Sequence, residues 1–183
     1  MTAVLQTARL ELVPMTPDIV EAVLLGRRDA AESLARARMP ERWPNRDLIE
    51  RAFSVSLESI RENPAARLWG ARVMIWRSEG VDRRVVGSVV FRGEPEGGEA
   101  EIAYGVEEGS RGRGIATEAV AACVSWALDQ PGVDAVHAAT FAWHRASVRV
   151  LEKVGMVPAG VREHDVLGEM LVFERRRTLP RLS

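Results

Sequence analysis

Along the chain, apolar and polar positions alternate with two different periods, and the changes of period mark the elements. Leu10 and Leu12 alternate with Arg9 and Glu11, the period of a half-buried strand over Arg9 to Val13. Thr16-Pro17-Asp18 then supplies an N-cap, a proline at the first helical position and an early acid, so a helix begins there and carries Ile19 and Val23 until Gly26. Asp29 to Arg38 is compatible with a short helix. Pro40 and Pro44 bracket Trp43 in a loop, and Asn45 caps a longer helix with Leu48, Ala52, Val55 and Ser59 on one face and Phe53 and Leu57 beside them, ending at Asn63-Pro64. Leu68 to Arg77, Val85 to Arg92 and Ala100 to Val106 read as three successive antiparallel strands, separated at Gly80-Val81-Asp82 and at Glu94 to Gly98. A helix from Ile115 to about Leu128, a strand over Val133 to Phe141, a helix from Arg145 to Val154 stopped by Gly155, and a hairpin of Val157 to Glu163 with Met170 to Phe173 complete the order. The pattern predicts about seven strands in a mixed, mostly antiparallel α/β sheet flanked by helices. Its β-α-β unit makes the strands at 100–106 and 133–141 parallel with a right-handed crossover. Neither repeats nor a linker divide the chain, so one domain over 1–183 is expected.

The change from strand to helix at Glu101 to Ala116 concentrates the chemistry. The turn Arg111-Gly112-Arg113-Gly114 opens directly into Ile115, Ala116 and Thr117, the first residues of a helix whose leading N–H groups have no internal partner. Gly112 and Gly114 keep side chains out of the way, and Arg111 and Arg113 add positive charge, so the turn suits a phosphate-bearing ligand, a pyrophosphate above all. A mononucleotide loop would need Lys-Ser/Thr where Ile115 and Ala116 stand, and a dinucleotide fingerprint would need glycine at Thr117.

What remains, Arg-Gly-x-Gly-x-Ala, resembles the pyrophosphate loop of the GNAT superfamily of acyl-CoA-dependent N-acyltransferases. A second stretch, His144-Arg-Ala-Ser147-Val-Arg-Val-Leu-Glu152-Lys153-Val-Gly155, is similar to that family's Asn-x-x-Ser-x-x-x-x-Glu-Lys-x-Gly helix, and Thr7 to Asp18 resembles the opening of its RimJ/RimL-like branch. The resemblance implies an acetyl-CoA-dependent N-acetyltransferase. It also implies that Val106, Arg111 to Thr117 and His144 surround the cofactor, and that acetyl transfer to a primary amine is direct, through a ternary complex. His144 departs from the family's asparagine, so imidazole either takes over a pantetheine contact or leaves it to backbone.

Two carboxylates compete for the role of base. Glu101 shares a strand face with Ala103 and Gly105, and Ala100-Glu101-Ile102 is similar to the histone-acetyltransferase-like branch. Glu108, at the strand's exit, matches an acidic position implied by RimL-like enzymes. Ser147, on a helix face with Leu151 and Val154, is the expected proton donor to the departing thiolate. Each also has a bland reading, a solvated carboxylate for the acids and a hydroxyl bonding its own backbone for the serine. Trp43 and Trp143 are the expected walls of the acceptor site, with packing as the alternative for each. Trp69, Trp76 and Trp126 are assigned to the core.

Composition narrows the partners. The 183 residues carry a formal net charge of -1, which gives no bulk attraction for nucleic acid. The run Arg175-Arg176-Arg177 with Arg181 reads as a solvated tail. The single cysteine, Cys123, sits on a small-residue helix face and is structural. Neither a signal peptide nor a membrane-spanning run is expected, and one free cysteine fits a reducing cytoplasm. Three scattered histidines and one cysteine suggest no metal set. The acceptor stays open between a protein N-terminal α-amine and a small-molecule amine, and a homodimer is open as well. The rival to an enzyme is a non-catalytic acyl-CoA-binding sensor, which would keep the loop and need no base.

Overall fold

The computed structural model describes residues 4–41, 43, 57–77 and 82–178. The helix start expected at Asn45, the face of Leu48, Ala52 and Val55 with Phe53, and Pro44, Gly80 and Arg181 lie outside the described residues.

Eight strands form one sheet in the order β1-β2-β3-β4-β5-β6-β8-β7. They are β1 (Leu5–Gln6), β2 (Leu10–Pro14), β3 (Ala71–Trp76), β4 (Arg84–Phe91), β5 (Glu99–Val106), β6 (Ala135–Phe141), β7 (Val157–His164) and β8 (Gly168–Arg176). Every neighbouring pair is antiparallel except β5 with β6, the parallel pair expected across the β-α-β unit. The strand beyond the expected seven is the two-residue β1. The 3-10 turn Pro64–Trp69 replaces the expected start of a strand at Leu68, because Asn63 accepts a hydrogen bond from the Ala65 N–H and caps a turn before the chain can extend. The basic run is not a tail: Arg175 and Arg176 belong to β8, Arg175 donates to the Val154 carbonyl, and Arg177 donates to the carbonyls of Val133 and Gln130. Pairing with β6 orders that stretch, because its backbone completes the ladder.

Alternation sorts the strand side chains onto two faces. On one face α1 (Pro17–Leu24) and α2 (Arg28–Ala35) bury Ile19, Val20, Ala31 and Ala35 against Val73, Ile75, Val85 and Val90. Thr16 caps α1 as its sequence predicts, accepting from the Ile19 N–H at 3.4 Å. A further short helix, α3 (Leu57–Glu62), precedes the 3-10 turn. On the other face α4 (Ile115–Leu128) and α5 (Arg145–Lys153) cover Val86, Val89, Ala100, Ile102, Val136 and Phe173. The α4 stripe of Ile115, Ala119, Val120, Cys123, Val124 and Ala127 is almost wholly buried, and its small residues let the helix lie close to the sheet. Cys123 is closed within it, and burial pushes its thiol up to about 12, so it stays protonated.

One irregularity positions the site. β5 and β6 pair only through Glu99 with Ala135, Ala100 with Val136 and Glu101 with His137. Beyond that, Ile102 to Val106 pair only with β4, while Ala138 to Phe141 pair only with β8. The two parallel strands therefore part, and a wedge opens toward their carboxyl ends.

Candidate functional site

The Gly-rich turn stands at the mouth of this wedge. Gly114, the N-cap of α4, has φ +75°, and Gly112 has φ +73°, a backbone region that side chains with a Cβ adopt only at a cost. A Cβ on Gly112 would meet nothing within 4 Å, so the turn presents open main chain rather than packed main chain. Its shape is held from outside. Arg9 donates to the Arg113 carbonyl at 2.9 Å and pairs with Glu118 of the first turn of α4 at 2.7 Å, and Glu118 also accepts from Thr7 and from the Arg9 N–H. Arg111 donates through Nε to the Val106 carbonyl at 3.1 Å, tying the turn to the end of β5.

A cavity of about 570 Å³ runs from this turn to α5. It is lined by Val106, Arg111, Gly112, Gly114, Ile115, Ala116 and Thr117, with His144 and Ser147 facing them from the start of α5. The expected cofactor residues thus share one surface, with one exception. Arg113 does not line the cavity; its guanidinium lies over Trp76 at 5.0 Å, with Arg9 over the same ring at 5.6 Å. A guanidinium over an aromatic face is attracted by the ring's quadrupole, and that contact holds Arg113 although it stays exposed. Trp76, assigned to the core, serves there as a platform beneath the turn.

Tyr104 is the residue that sequence reasoning missed. From β5 its hydroxyl crosses the wedge to Ser147, 2.8 Å from Oγ and 3.1 Å from the carbonyl oxygen. Burial pushes the phenol up to about 12, only partly offset by the Ser147 bond, so it is a neutral donor at physiological pH. Its sole sequence signal was a position three residues after Glu101, on the opposite face of the strand.

Glu101 faces the other side of the sheet and lines a second cavity, of about 610 Å³, with Arg92, Glu99, His137, Ala139, Arg162 and others. Arg162 donates to both carboxylate oxygens, at 3.1 and 3.0 Å, and Arg92 approaches at 3.1 Å. Burial alone would raise this carboxyl; the Arg162 bonds and the charges of Arg92 and Arg162 outweigh it and hold the group below its ordinary 4.5. Glu101 is therefore half-buried but firmly ionised. Next to it, Glu99, His137 and Glu174 bring three ligand-type atoms within 4.8 Å of one another, a grouping that counting histidines and cysteines had not anticipated. Arg176 already holds both oxygens of Glu174, at 2.7 Å each.

The remaining expected residues lie elsewhere. Glu108 is exposed in the 3-10 turn Glu108–Ser110 and lines neither cavity, whereas its neighbour Glu107 accepts from the Gly109 N–H. Trp43 is 8% exposed and packed with Met15, Val73 and Ile75 beneath α1 and α2, so it is a core residue rather than a cleft wall. Burying the indole removes far more apolar surface than a loop presentation could keep useful. Trp143 is 70% exposed and stacks on Phe141 at the end of β6, with centroids 5.2 Å apart and His164 edge-on to the same ring.

Known structures share this frame. A ribosomal-protein alanine acetyltransferase from Vibrio fischeri superposes with a TM-score of 0.67 at 15% identity, over 95% of this chain and 96% of that one. An acetyltransferase from Agrobacterium tumefaciens gives 0.60 at 20%, over 96% and 95%. RimL, a ribosomal-protein α-N-acetyltransferase in complex with coenzyme A, gives 0.61 at 15%, over 94% and 97%. At these identities the likeness is one of fold. No curated protein sequence matches the chain. The acetyltransferase (GNAT) domain family matches residues 9–157. The eight-stranded sheet with its parted central strands, the glycine turn and that match agree, and the chain belongs to the GNAT family of acetyl-CoA-dependent acetyltransferases.

Proposed function

We propose that this enzyme moves the acetyl group of acetyl-CoA onto a protein N-terminal α-amine, directly and without a covalent enzyme intermediate. The observation that carries the reading is the wedge between β5 and β6, which has a cavity on each face. The cavity on the α4 and α5 side holds the glycine turn, Arg111 and the Tyr104–Ser147 pair, and takes acetyl-CoA. The cavity on the opposite side holds Glu101 and takes the amine. Approach from opposite faces lets nitrogen reach the thioester carbonyl where the strands part, with no need for a nucleophilic side chain.

Glu101 acts chiefly by positioning the acceptor amine through a hydrogen bond to its carboxylate, not as its base. A carboxyl held below 4.5 is several units too acidic to take a proton from an alkylammonium efficiently. The amine must therefore arrive largely as free base, or lose its proton to water beside the carboxylate. An α-amine, with an ordinary pKa near 7.7–8.0, is free base in on the order of one molecule in ten at neutral pH, against one in thousands for a lysine side chain. That favours an α-amine acceptor. As nitrogen attacks, the carbon–sulfur bond breaks and the thiolate leaves; the proton released by nitrogen is the one that sulfur finally gains. Ser147, on the wall of the coenzyme cavity, would supply a hydrogen bond to the developing thiolate, and its contact with the Tyr104 hydroxyl holds it in place. His144, at the start of α5, supplies the pantetheine contact that asparagine makes in the family.

Thiol release from acetyl-CoA, followed with peptides bearing a free N-terminus, the same peptides with a blocked N-terminus and a free lysine, and small amines, tests the acceptor class. Release confined to free N-termini is expected. Release only with small amines would move the acceptor to the other class.

A further inference from the structure

At the paired end of the wedge, three strands bring unlike ligand groups to one point. His137 of β6 is in register with Glu101 of β5 on one side and with Glu174 of β8 on the other. Glu99 stands two residues before Glu101, on the same strand face. Nε2 of His137 lies 3.4 Å from a carboxylate oxygen of Glu99 and 3.4 Å from one of Glu174. That nitrogen is sealed from solvent, yet it makes no hydrogen bond. Buried polar atoms are nearly always partnered, so a bare imidazole nitrogen between two acids is unusual. A direct charge-assisted bond would have drawn one oxygen to about 2.7–2.9 Å. Two ligand atoms each about 2.1 Å from a tetrahedral zinc ion, by contrast, stand about 3.4 Å apart. The spacing in this protein is the second one.

We propose that Glu99, His137 and Glu174 form a binding site for a divalent transition cation of the zinc class, on the opposite face of the sheet from the glycine turn. One imidazole with two carboxylates and no thiolate suits zinc or cobalt, whereas magnesium and calcium prefer oxygen ligands alone. All three side chains stand on paired strands, which hold ligands more precisely than loops do. Glu101 does not compete as a ligand, because Arg162 and Arg92 grip it. Arg176 donates to both oxygens of Glu174. Each carboxylate oxygen keeps a second lone pair, so Arg176 orients that ligand from outside, as partners of metal-bound carboxylates do. Among the described residues, no arginine or lysine pairs with Glu99, and its side chain can close the last gap. The three ligand atoms already lie within 4.8 Å of one another. Three protein ligands leave a fourth position, and Glu99 and His137 line the cavity from which it is reached. The cation ties β5, β6 and β8 together just before the parallel strands part. The site goes beyond the acetyl-transfer reading and does not depend on it.

Titration of the tag-free full chain with Zn²⁺, after chelator treatment and against a chromophoric competitor, tests the assignment. One equivalent should bind per chain, and the melting temperature should rise with Zn²⁺ but not with equal Mg²⁺. Co²⁺ should give the intense visible absorption of a four-coordinate ion. His137→Ala and, separately, Glu99→Gln should each weaken Zn²⁺ binding about a hundredfold or more, since loss of a mere outer partner already costs about 10–100-fold. The Glu99 side chain is 54% exposed, so Glu99→Gln should keep the metal-free melting temperature. Affinity for coenzyme A should stay native in that variant, because the glycine turn lies on the other face. Zn²⁺ binding that survives both substitutions would place the ion at another histidine and overturn the inference. A native protein with no saturable equivalent, or a weak six-coordinate Co²⁺ spectrum, would overturn it as well.

Discussion

The hydroxyl of Tyr104 lies 2.8 Å from Oγ of Ser147, joining the end of β5 to the first turn of α5 across the gap where the central strands part. The contact is at once a strut and a chemical pair. With the phenol pushed up to about 12 it stays protonated and donates to the Ser147 carbonyl, and in the contact with Oγ either hydroxyl can be the donor.

Tyr104→Phe should therefore lower kcat by about tenfold or more while KM for acetyl-CoA stays near the native value, and should cost about 0.5–1.5 kcal/mol of stability for the lost bond. Ser147→Ala should lower kcat further. If Tyr104→Phe changes stability alone, the phenol is a strut only.

At the glycine turn, Gly114→Val should weaken coenzyme A binding, because a β-branched residue resists φ +75° and shifts the turn. Arg111→Ala should reduce affinity roughly ten- to a hundredfold through lost charge-assisted bonding. Calorimetry with coenzyme A reads both, and native affinity in the two variants together would show that the turn is not the anion site.

Glu101→Gln should raise KM for the acceptor and leave that for acetyl-CoA unchanged, since the carboxylate lies on the opposite face of the sheet from Arg111. In the native enzyme kcat/KM should climb with pH through the amine's own pKa, because a carboxyl held below 4.5 is already ionised far below that range. A profile with an additional enzyme group titrating near neutrality would indicate a separate base.

Glu118 contributes to the pH dependence of stability. Burial would raise its carboxyl, but bonds from Thr7 and from the Arg9 N–H and side chain hold it below 4.5. A depressed folded pKa contributes stability that is complete above about 4.5 and is lost as pH falls through the folded value. Glu118→Gln should thus destabilise by roughly 1–3 kcal/mol at neutral pH. It should also flatten the acid limb of the stability curve below pH 4.5, as melting temperatures taken across pH would show.

The two displaced tryptophans separate packing from recognition. Trp43→Ala should cost about 3–5 kcal/mol, typical of an emptied core site, and lower the apparent kcat through loss of folded enzyme. Trp143→Ala should leave the melting temperature unchanged, and any effect should fall on the acceptor KM alone.

Much of the fold could be read locally. The Thr16 cap, the alternation of β2, the meander of β3 to β5 and the stop at Gly155 are short-range preferences, each set by a few consecutive residues, and the structure keeps them. The anion turn was readable for the same reason: Gly112 and Gly114 adopt positive φ through their own lack of a Cβ, whatever surrounds them. Arg113, by contrast, was expected in the cradle, and only the meeting of β3 with the turn shows that Trp76 takes it. Trp43 followed the same logic, since a loop between prolines looks presented until α1 and α2 enclose it.

The pairing of distant chain segments decided the rest. Residues 99–101 and 135–137 hydrogen-bond and the following ones do not, so the register of β5 against β4, and of β6 against β8, opens the wedge. Sequence alone placed Glu101 on one strand face, but the arginines that hold it ionised come from positions 92 and 162, on either side of it in the sheet. Tyr104 and Ser147 are 43 residues apart and meet only because α5 returns over the parted strands. Backbone preference acts over a few residues, and so elements and turn were present in the sequence. Charge pairing and hydroxyl contacts act through space over a few ångströms, and only the folded sheet decides which residues come within that distance.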